Sequence, residues 1–206
     1  MSDSQITFRM ATLDDIDSLA ELERASWPTE LAATAEQISL RIRTFPVGQL
    51  VVENQTNIIG YSSAQRITEK FLIENTGNYS AITDGNRLVK SHFPDGVIYQ
   101  LIGVSVSPES RGLNLGRKLV DRQIAYARSL PEITRILGFT RPAGYHRQSD
   151  IPMQEYVRKK KSDGIVFDAV LDFHLDAGAK IVSIHEGFRP NDIESCGYGV
   201  LIEYDC

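Results

Sequence analysis

One stretch of the sequence limits the possible folds more than any other. A mostly apolar run over residues 97–106 has the length of a strand and is closed by a proline at Pro108. Two glycines follow, and apolar residues at helical spacing then continue as far as Pro131. The stretch Arg135–Thr140 has the pattern of another strand. The sequence therefore predicts a strand, glycine turn, helix, strand unit, which is the basis of an α/β fold.

The length and composition favour one globular domain over residues 1–206. The chain has 206 residues, and about 150 residues per domain is the usual size. It is 42% hydrophobic and 24% charged, which excludes disordered and collagen-like proteins. The net charge of −5 argues against a wholly cationic nucleic-acid-binding surface, although a local basic patch stays open.

The cysteines, the N-terminus and the length of the apolar runs argue against several further classes of protein. Cys196 and Cys206 have no CxxC or Cys/His spacing, so neither a disulfide framework nor a metal site is expected. The N-terminus lacks a basic segment followed by an apolar one, and no apolar run approaches the roughly 20 residues of a membrane span. We therefore expect a cytoplasmic protein that is not inserted in a membrane.

Periodicity predicts the other elements. The first half should contain a strand at Ile6–Met10, a helix begun by the capping pair Thr12 and Asp15 and ended at Trp27, a helix at 34–43, and hairpin strands at 49–53 and 58–65. Residues 68–95 are interrupted by turn residues and predict an irregular insertion with a helical turn or two. The last part predicts an exposed loop at 141–162, a helix bearing Val166, Val170, Leu171 and His174, and strands at 180–184 and 200–204.

The glycine turn predicts an anion site. A turn between strand and helix directs backbone N–H groups and the positive end of the helix dipole to one place, and Arg111 and Arg117 add charge. The spacing fits neither a P-loop nor a dinucleotide-binding fingerprint. The alternative is that Gly112 and Gly116 only permit a tight turn.

The motif resembles that of the GNAT superfamily of acyltransferases, in which Arg/Gln-x-x-Gly-x-Gly/Ala follows a strand ending in Val-x-Pro. Residues 106–116 match it, except that Asn114 replaces the usual first glycine. Asparagine tolerates a left-handed backbone better than most residues. The resemblance implies that acyl-CoA is bound, its pyrophosphate by Arg111, Gly112, Leu113, Asn114, Leu115, Gly116 and Arg117, and its pantetheine by the strand around Val104 and Val106.

His174 occupies the position of a catalytic acid in this resemblance. Many members of the superfamily place a tyrosine four residues before a glycine, and this chain has His174 four residues before Gly178. An imidazole could donate or accept a proton near neutral pH. The alternative is a buried histidine with a purely structural role.

The sequence offers no obvious base for amine acetylation. Residues 97–106 contain no carboxylate, and Gln100 cannot serve as a base. This argues against amine acetylation, although proton removal through ordered water stays open.

A narrower similarity is to the GNAT-like loading domains of curacin-type polyketide synthases, which decarboxylate malonyl thioesters. Their functional tryptophan, threonine, histidine and arginine correspond to Trp27, Thr140, His174 and Arg189. Thr140 and His174 would stabilise an enolate and supply its proton, Arg189 would orient the malonyl carboxylate, and Trp27 would shape the acyl pocket. Each has an ordinary alternative: Thr140 as a strand residue, Trp27 as a core anchor, Arg189 as a solvated charge.

Together these features predict a single α/β GNAT domain, with a mixed and mostly antiparallel sheet flanked by helices and splayed at the thioester site. The expected function is acyl-CoA-dependent acyl transfer to an unknown acceptor. The alternatives are decarboxylation or loading of a malonyl group on CoA or an acyl carrier protein, and non-catalytic sensing of acyl-CoA. The basic run 158–161 could attract nucleotide phosphates or an acidic carrier protein, but a solvated loop is the simpler interpretation.

Overall fold

Seven strands form one mixed sheet in the computed structural model, which describes residues 6–55 and 57–206. In chain order they are β1 (Ile6–Met10), β2 (Gln49–Asn54), β3 (Asn57–Ile67), β4 (Ile98–Val106), β5 (Arg135–Thr140), β6 (Lys180–His185) and β7 (Gly199–Tyr204). Their spatial order is β1-β2-β3-β4-β5-β7-β6. Only β4 and β5 pair in parallel, so the predicted mixed, mostly antiparallel sheet is confirmed.

Helices cover both faces of this sheet. They are α1 (Ile16–Ser26), α2 (Ala35–Thr44), α3 (Glu69–Asn75), α4 (Tyr79–Ile82), α5 (Leu115–Arg128), α6 (Met153–Tyr156) and α7 (Ala169–Asp176). On one face, α1 and α2 bury Leu19 and Ile38 against Val51. On the opposite face, α5 buries Leu119 against Val52, the next residue of the same strand. This alternation follows from the two-residue period of a strand.

The end of α1 fixes the position of Trp27. The helix starts after a 3-10 turn in which the Asp15 carboxylate accepts hydrogen bonds from the backbone N–H and hydroxyl of Thr12. It ends where Trp27 becomes extended ahead of Pro28, because a residue before proline avoids the helical region. The predicted start and end signals of this helix are therefore confirmed.

The insertion at 68–95 is better ordered than its sequence suggests. It contains α3 and α4, which supply the predicted helical turns, and it buries Ile82 and Leu88. The Tyr79 backbone N–H donates to the Phe188 carbonyl at 2.8 Å. The insertion is thereby joined to the loop that carries Arg189.

Some predicted boundaries were wrong. The helix expected to include Val166 begins only at Ala169, because Asp168 caps it and accepts from the backbone N–H groups of Val170 and Leu171. Gly178 follows the helix with a φ of +90°, as expected of a C-terminal glycine cap.

The segment 141–162 is also more structured than the predicted exposed loop. It contains a 3-10 turn at Tyr145–Arg147 and the helix α6. Tyr145, Met153 and Tyr156 are buried in the core beneath α7. These elements were missed because each is too short to show a helical period.

The sheet opens between β4 and β5. The two strands pair only from Ile98 with Arg135 to Leu101 with Gly138. A bulge on β4 occurs at the same level, since Ala64 of β3 pairs with Leu101 while Ser63 pairs with Gly103. Ile102 thus has no paired residue on either side, and the predicted splay lies at this point.

No helix within residues 6–55 and 57–206 has both the length and the apolar character needed to cross a membrane.

Asp168 should be critical for the position of α7. Besides capping the helix, its carboxylate accepts hydrogen bonds from the Tyr156 hydroxyl at 3.0 Å and the Gly144 backbone N–H at 2.8 Å. We expect Asp168→Ala to lower the free energy of unfolding by about 2–4 kcal/mol, because buried donors lose their acceptor. Urea unfolding measures this, with the exposed Asp150→Ala as control. Equal stability of the two variants would contradict the assignment.

Candidate active site

A cavity of about 810 Å³, its open mouth included, occupies the gap between β4 and β5. Its walls come from both separated strands, α4, α7, β7 and the loop before β7. The residues lining it are Trp27, Tyr79, Leu101, Ile102, Gly103, Val104, Gly138, Phe139, Thr140, Arg141, Val170, Phe173, His174, Phe188, Arg189, Asp192, Tyr198, Gly199, Ile202 and Tyr204. The four candidate catalytic residues, far apart in sequence, are all among them.

Trp27 is held in place by a chain of hydrogen bonds. Its indole Nε1 donates to the Ser105 Oγ at 2.7 Å, and that hydroxyl donates to the Glu23 carboxylate. The other Glu23 oxygen accepts from the Ala33 backbone N–H at 2.9 Å. Glu23 is only 5% exposed, so this chain is shielded from water. The indole is therefore a rigid wall of the cavity.

The two arginines of the cavity differ in their partners. Arg141 donates to both carboxylate oxygens of buried Asp192, with its Nε at 2.6 Å, and also to Glu194. Arg189 donates to the Leu31 carbonyl at 3.0 Å, and its guanidinium carbon lies 4.0 Å from the centre of the Tyr79 ring. Among the described residues, no carboxylate forms a salt bridge with Arg189. Its charge is available to a ligand, whereas that of Arg141 is neutralised.

His174 is uncharged at neutral pH. Burial in the cavity wall lowers its pKa to about 4, because the charged ring would lose its hydration. Its Nδ1 lies 2.7 Å from the Tyr204 hydroxyl. Burial also raises the pKa of Tyr204, which keeps that hydroxyl protonated. The sequence predicted that His174 could donate or accept a proton at pH 7. The lowered pKa means that the ring is in its neutral form at that pH.

Thr140 presents a buried hydroxyl without a partner. The residue is 4% exposed at the end of β5, and its Oγ1 has no hydrogen-bond partner among the described residues. An unsatisfied buried hydroxyl costs about 1–3 kcal/mol, so such groups are rare away from functional sites. This one lines the cavity, where a ligand oxygen can satisfy it.

Aromatic side chains form the wall near Arg189. Phe139 and Phe188 stack with ring centres 4.4 Å apart, and Tyr79 meets Phe188 edge-on at 5.9 Å. Their apolar surface lowers the local dielectric and strengthens electrostatic interactions in the cavity. The predicted insertion supplies Tyr79, which the sequence did not identify as part of the site.

The glycine turn has the backbone that its sequence requires. Gly112 and Asn114 have φ values of +89° and +56°, so asparagine takes the left-handed conformation in place of glycine. Asn114 caps α5, and the backbone N–H groups of Leu115, Gly116 and Arg117 form its first turn, where no acidic residue compensates the helix dipole. The Leu113 N–H is directed to the Ser110 carbonyl at 3.4 Å.

The basic residues near this turn have different environments. Arg111 is exposed, whereas the Arg117 guanidinium donates to Asp121 at 2.8 Å and to Asp176 at 2.9 Å. These two carboxylates weaken the expected contribution of Arg117 to an anion site. Residues 158–161 form an exposed basic segment.

The side chains of Val104 and Val106 pack towards α5. Val104 lines the cavity, and the Val106 carbonyl accepts from the Ser26 hydroxyl at 3.2 Å. Within the described part of the chain, no group of three or more His, Cys, Asp or Glu side chains could hold a metal ion.

Several residues of the site were not predicted from the sequence. Tyr204, Tyr79 and Glu23 affect it through contacts with His174, Arg189 and Ser105. The alternation in β7 signalled that Tyr204 shares a face with Ile202, but nothing in the sequence indicated its histidine partner.

The left-handed conformation of Asn114 gives a stability prediction. We expect Asn114→Val to lower the free energy of unfolding by about 1–2 kcal/mol, because a β-branched side chain is strained at this φ. Asn114→Gly should stay within about 1 kcal/mol of the original protein. Chemical unfolding of the three proteins measures both values. A valine variant as stable as the glycine variant would exclude the left-handed turn.

Comparisons with known proteins match this geometry. The model of the Acetyltransferase (GNAT) family matches residues 14–148. The uncharacterized N-acetyltransferase YkwB of Bacillus subtilis is 30% identical over 97% of this chain and 88% of its own length. A longer relative from the same organism, described as a probable hydrolase, is 28% identical, and the chain spans 37% of its length.

Two solved structures are similar over nearly the whole chain. The loading GNATL domain of CurA from Lyngbya majuscula has a TM-score of 0.88 and 30% identity, with 97% of each chain covered. The GphF GNAT-like decarboxylase, solved in complex with isobutyryl-CoA, has a TM-score of 0.84 and 32% identity over 97% of this chain and 98% of that one. The chain, with its splayed sheet and glycine turn, therefore belongs to the GNAT family of acetyltransferases.

Proposed function

We propose that this protein binds a malonyl thioester of CoA or of a carrier protein and decarboxylates it. The observation that carries the proposal is the unpartnered, buried hydroxyl of Thr140, which lines one cavity together with His174 and Arg189. These groups match what the reaction needs: donors for a developing enolate and a cation for the carboxylate.

Amine acetylation is less well supported by the same cavity. Gln100 of β4 accepts a hydrogen bond from Gln65 and cannot act as a base. The nearby carboxylates of Asp192 and Glu23 already accept hydrogen bonds, from Arg141 and from Ser105 and Ala33. No free carboxylate within the described residues lines the cavity as a base.

Arg189 orients the substrate in this proposal. A guanidinium presents paired N–H groups that suit a carboxylate, and Arg189 has donors not engaged by a carboxylate. Contact with the Tyr79 ring fixes its plane. Trp27 and the Phe139–Phe188 stack limit the acyl group to one orientation.

The chemical step breaks the bond between the α carbon and the carboxylate carbon. Its electron pair moves into the thioester, forming an enolate, and carbon dioxide leaves. The Thr140 hydroxyl and a His174 ring N–H donate hydrogen bonds to the enolate oxygen. A neutral imidazole suits this role better than an imidazolium. A positively charged ring would form an ion pair with the substrate carboxylate, and a neutral ring does not.

A proton must then reach the α carbon. In this proposal the Tyr204 hydroxyl, 2.7 Å from Nδ1, is the donor of that hydrogen bond, which assigns the ring proton to Nε2. Transfer of that proton to carbon, with the Tyr204 proton passing to Nδ1, completes the product. A solvent proton replaces that of Tyr204 in the same step, so the buried hydroxyl is not left ionised and one proton is consumed per turnover.

The thioester carrier is held by the glycine turn in this proposal. The pyrophosphate of CoA lies against the first-turn N–H groups of α5 and against Arg111, and pantetheine pairs with β4 around Val104 and Val106. The exposed basic residues 158–161 offer a surface to an acidic carrier protein. Transfer of the resulting acyl group to an acceptor is the second candidate, favoured by membership of an acyltransferase family.

Mass spectrometry of the protein incubated with malonyl-CoA tests the proposal. We expect acetyl-CoA and carbon dioxide to form without an acceptor, and acetyl-CoA supplied alone to remain unchanged. Thr140→Val should lower kcat by about 10²–10³, because one donor to the enolate is lost, and Thr140→Ser should restore most of it. His174→Ala should abolish carbon dioxide release while the protein stays folded.

Two other outcomes would overturn the proposal. Release of CoA only when an amine, thiol or carrier protein is added would make the protein a transferase. Binding of both thioesters without conversion, with or without an acceptor, would make it a sensor.

The pH profile distinguishes a neutral donor from an acid. Because the pKa of His174 is lowered to about 4, kcat/KM for malonyl-CoA should stay level from about pH 5 to about pH 8. It should fall as the pH drops through about 4, where the ring becomes charged. A rate that rises over that acidic range would show that the imidazolium is the active form. Circular dichroism at each pH verifies that the fold persists.

A further inference from the structure

A second, smaller chamber adjoins the cavity on the side of α1 and α2. Its volume is about 290 Å³ with its opening included, and its lining residues are Glu23, Trp27, Leu31, Arg41, Tyr61, Tyr79, Asn86, Ile102, Gly103 and Arg189. Five of these, including Gly103 and Arg189, also line the main cavity. The two spaces therefore meet at the β4 bulge, beside the proposed site of the acyl group.

Arg41 places a second buried cation in this chamber. The residue is 3% exposed on the inner face of α2. Its Nε donates to the Asn86 backbone carbonyl at 2.8 Å, its guanidinium also donates to the Asn86 side chain, and it faces the Tyr61 hydroxyl. None of these partners is charged. Burying a guanidinium that is hydrogen-bonded only to neutral groups is costly even with the charge of Glu23 acting on it, which points to a second anion supplied by a ligand.

The charges that line the chamber do not cancel. Arg41 and Arg189 are cations, and Glu23 is the carboxylate that accompanies them. Both Glu23 oxygens are occupied by hydrogen bonds from Ser105 and Ala33. One positive charge is therefore uncompensated in a space of low dielectric, and a single carboxylate would neutralise it.

Gly103 leaves the passage between the two spaces open. Its φ does not lie in the left-handed region, and a methyl group there would meet only the Trp27 ring, at 3.7 Å. In contrast, a methyl group on Gly199 would overlap the Phe188 ring at 2.2 Å. Gly103 thus has neither a conformational nor a steric requirement for glycine, and its missing side chain provides room at the junction.

We propose that the chamber receives the free carboxylate of the acyl group, and that Arg41 binds this carboxylate together with Arg189. The ligand class is a thioester whose acyl chain carries a carboxylate on its α carbon. Glu23 sets the strength of binding by partly offsetting the two cations. This inference rests on the proposed function and adds a binding residue and a basis for selecting malonyl over acetyl groups.

Calorimetric binding of malonyl-CoA and acetyl-CoA tests it, in a His174→Ala background if the unaltered protein consumes malonyl-CoA. Arg41→Gln should weaken malonyl-CoA binding by roughly tenfold or more, and Glu23→Gln should tighten it by roughly threefold to tenfold. Acetyl-CoA binding should change by less than about twofold in both. Arg43→Gln, an exposed arginine on the same helix, is the control and should change neither.

The opposite signs separate an electrostatic role from structural damage, which would weaken binding in both variants. Equal changes for both thioesters, or weakened malonyl-CoA binding in Glu23→Gln, would overturn the proposal. If Arg41→Gln does not fold, Glu23→Gln decides through the sign of its effect on malonyl-CoA relative to acetyl-CoA. A glutamine cannot accept both hydrogen bonds from Ser105 and Ala33, and a displaced Trp27 would change the binding of both thioesters. Since binding is measured without turnover, the result does not depend on whether the protein decarboxylates malonyl-CoA.

Discussion

The separation of β4 from β5 is the constraint on which the site depends. The strands pair over four residues and then diverge, and at the same level the β4 bulge leaves Ile102 without a paired residue on β3. A gap in a sheet exposes backbone groups that must be satisfied by something other than a neighbouring strand. The cavity lies in this gap, so the break that opens the sheet also supplies polar backbone for an extended ligand such as pantetheine.

The buried charges divide into two kinds around this gap. Arg141 and Asp192 neutralise each other, and hydrogen bonds from Arg141 offset the cost of burial so that the pKa of Asp192 stays below its ordinary value. Such a pair stabilises the loop before β7 and offers little to a ligand. Arg189 and Arg41 are hydrogen-bonded only to neutral groups in the described structure, and Glu23 offsets only one of the two charges, so their field favours binding of a further anion.

The sequence predicted the parts of the site that follow from local pattern. The glycine turn and the succession of strands along the chain were foreseeable because turn residues and two-residue alternation act over short distances. Tyr204 and Arg41 were not, because their roles arise from contacts between distant elements. Arg41 and exposed Arg43 lie two positions apart on α2, and only the packing of α2 against the insertion decides which of the two is buried.

His174 shows how the fold converts a residue type into a specific chemical role. Histidine alone suggests proton transfer at neutral pH. Burial against Phe173 and Tyr204 lowers the pKa of His174, so the ring is uncharged at neutral pH. The neutral ring and the unpartnered hydroxyl of Thr140 line the same cavity and are two uncharged donors. In the proposed reaction, uncharged donors stabilise the enolate oxygen without competing with Arg189 for the carboxylate. The proposed decarboxylation of a carboxylated thioester needs both kinds of group, a cation for the carboxylate and uncharged donors for the enolate oxygen.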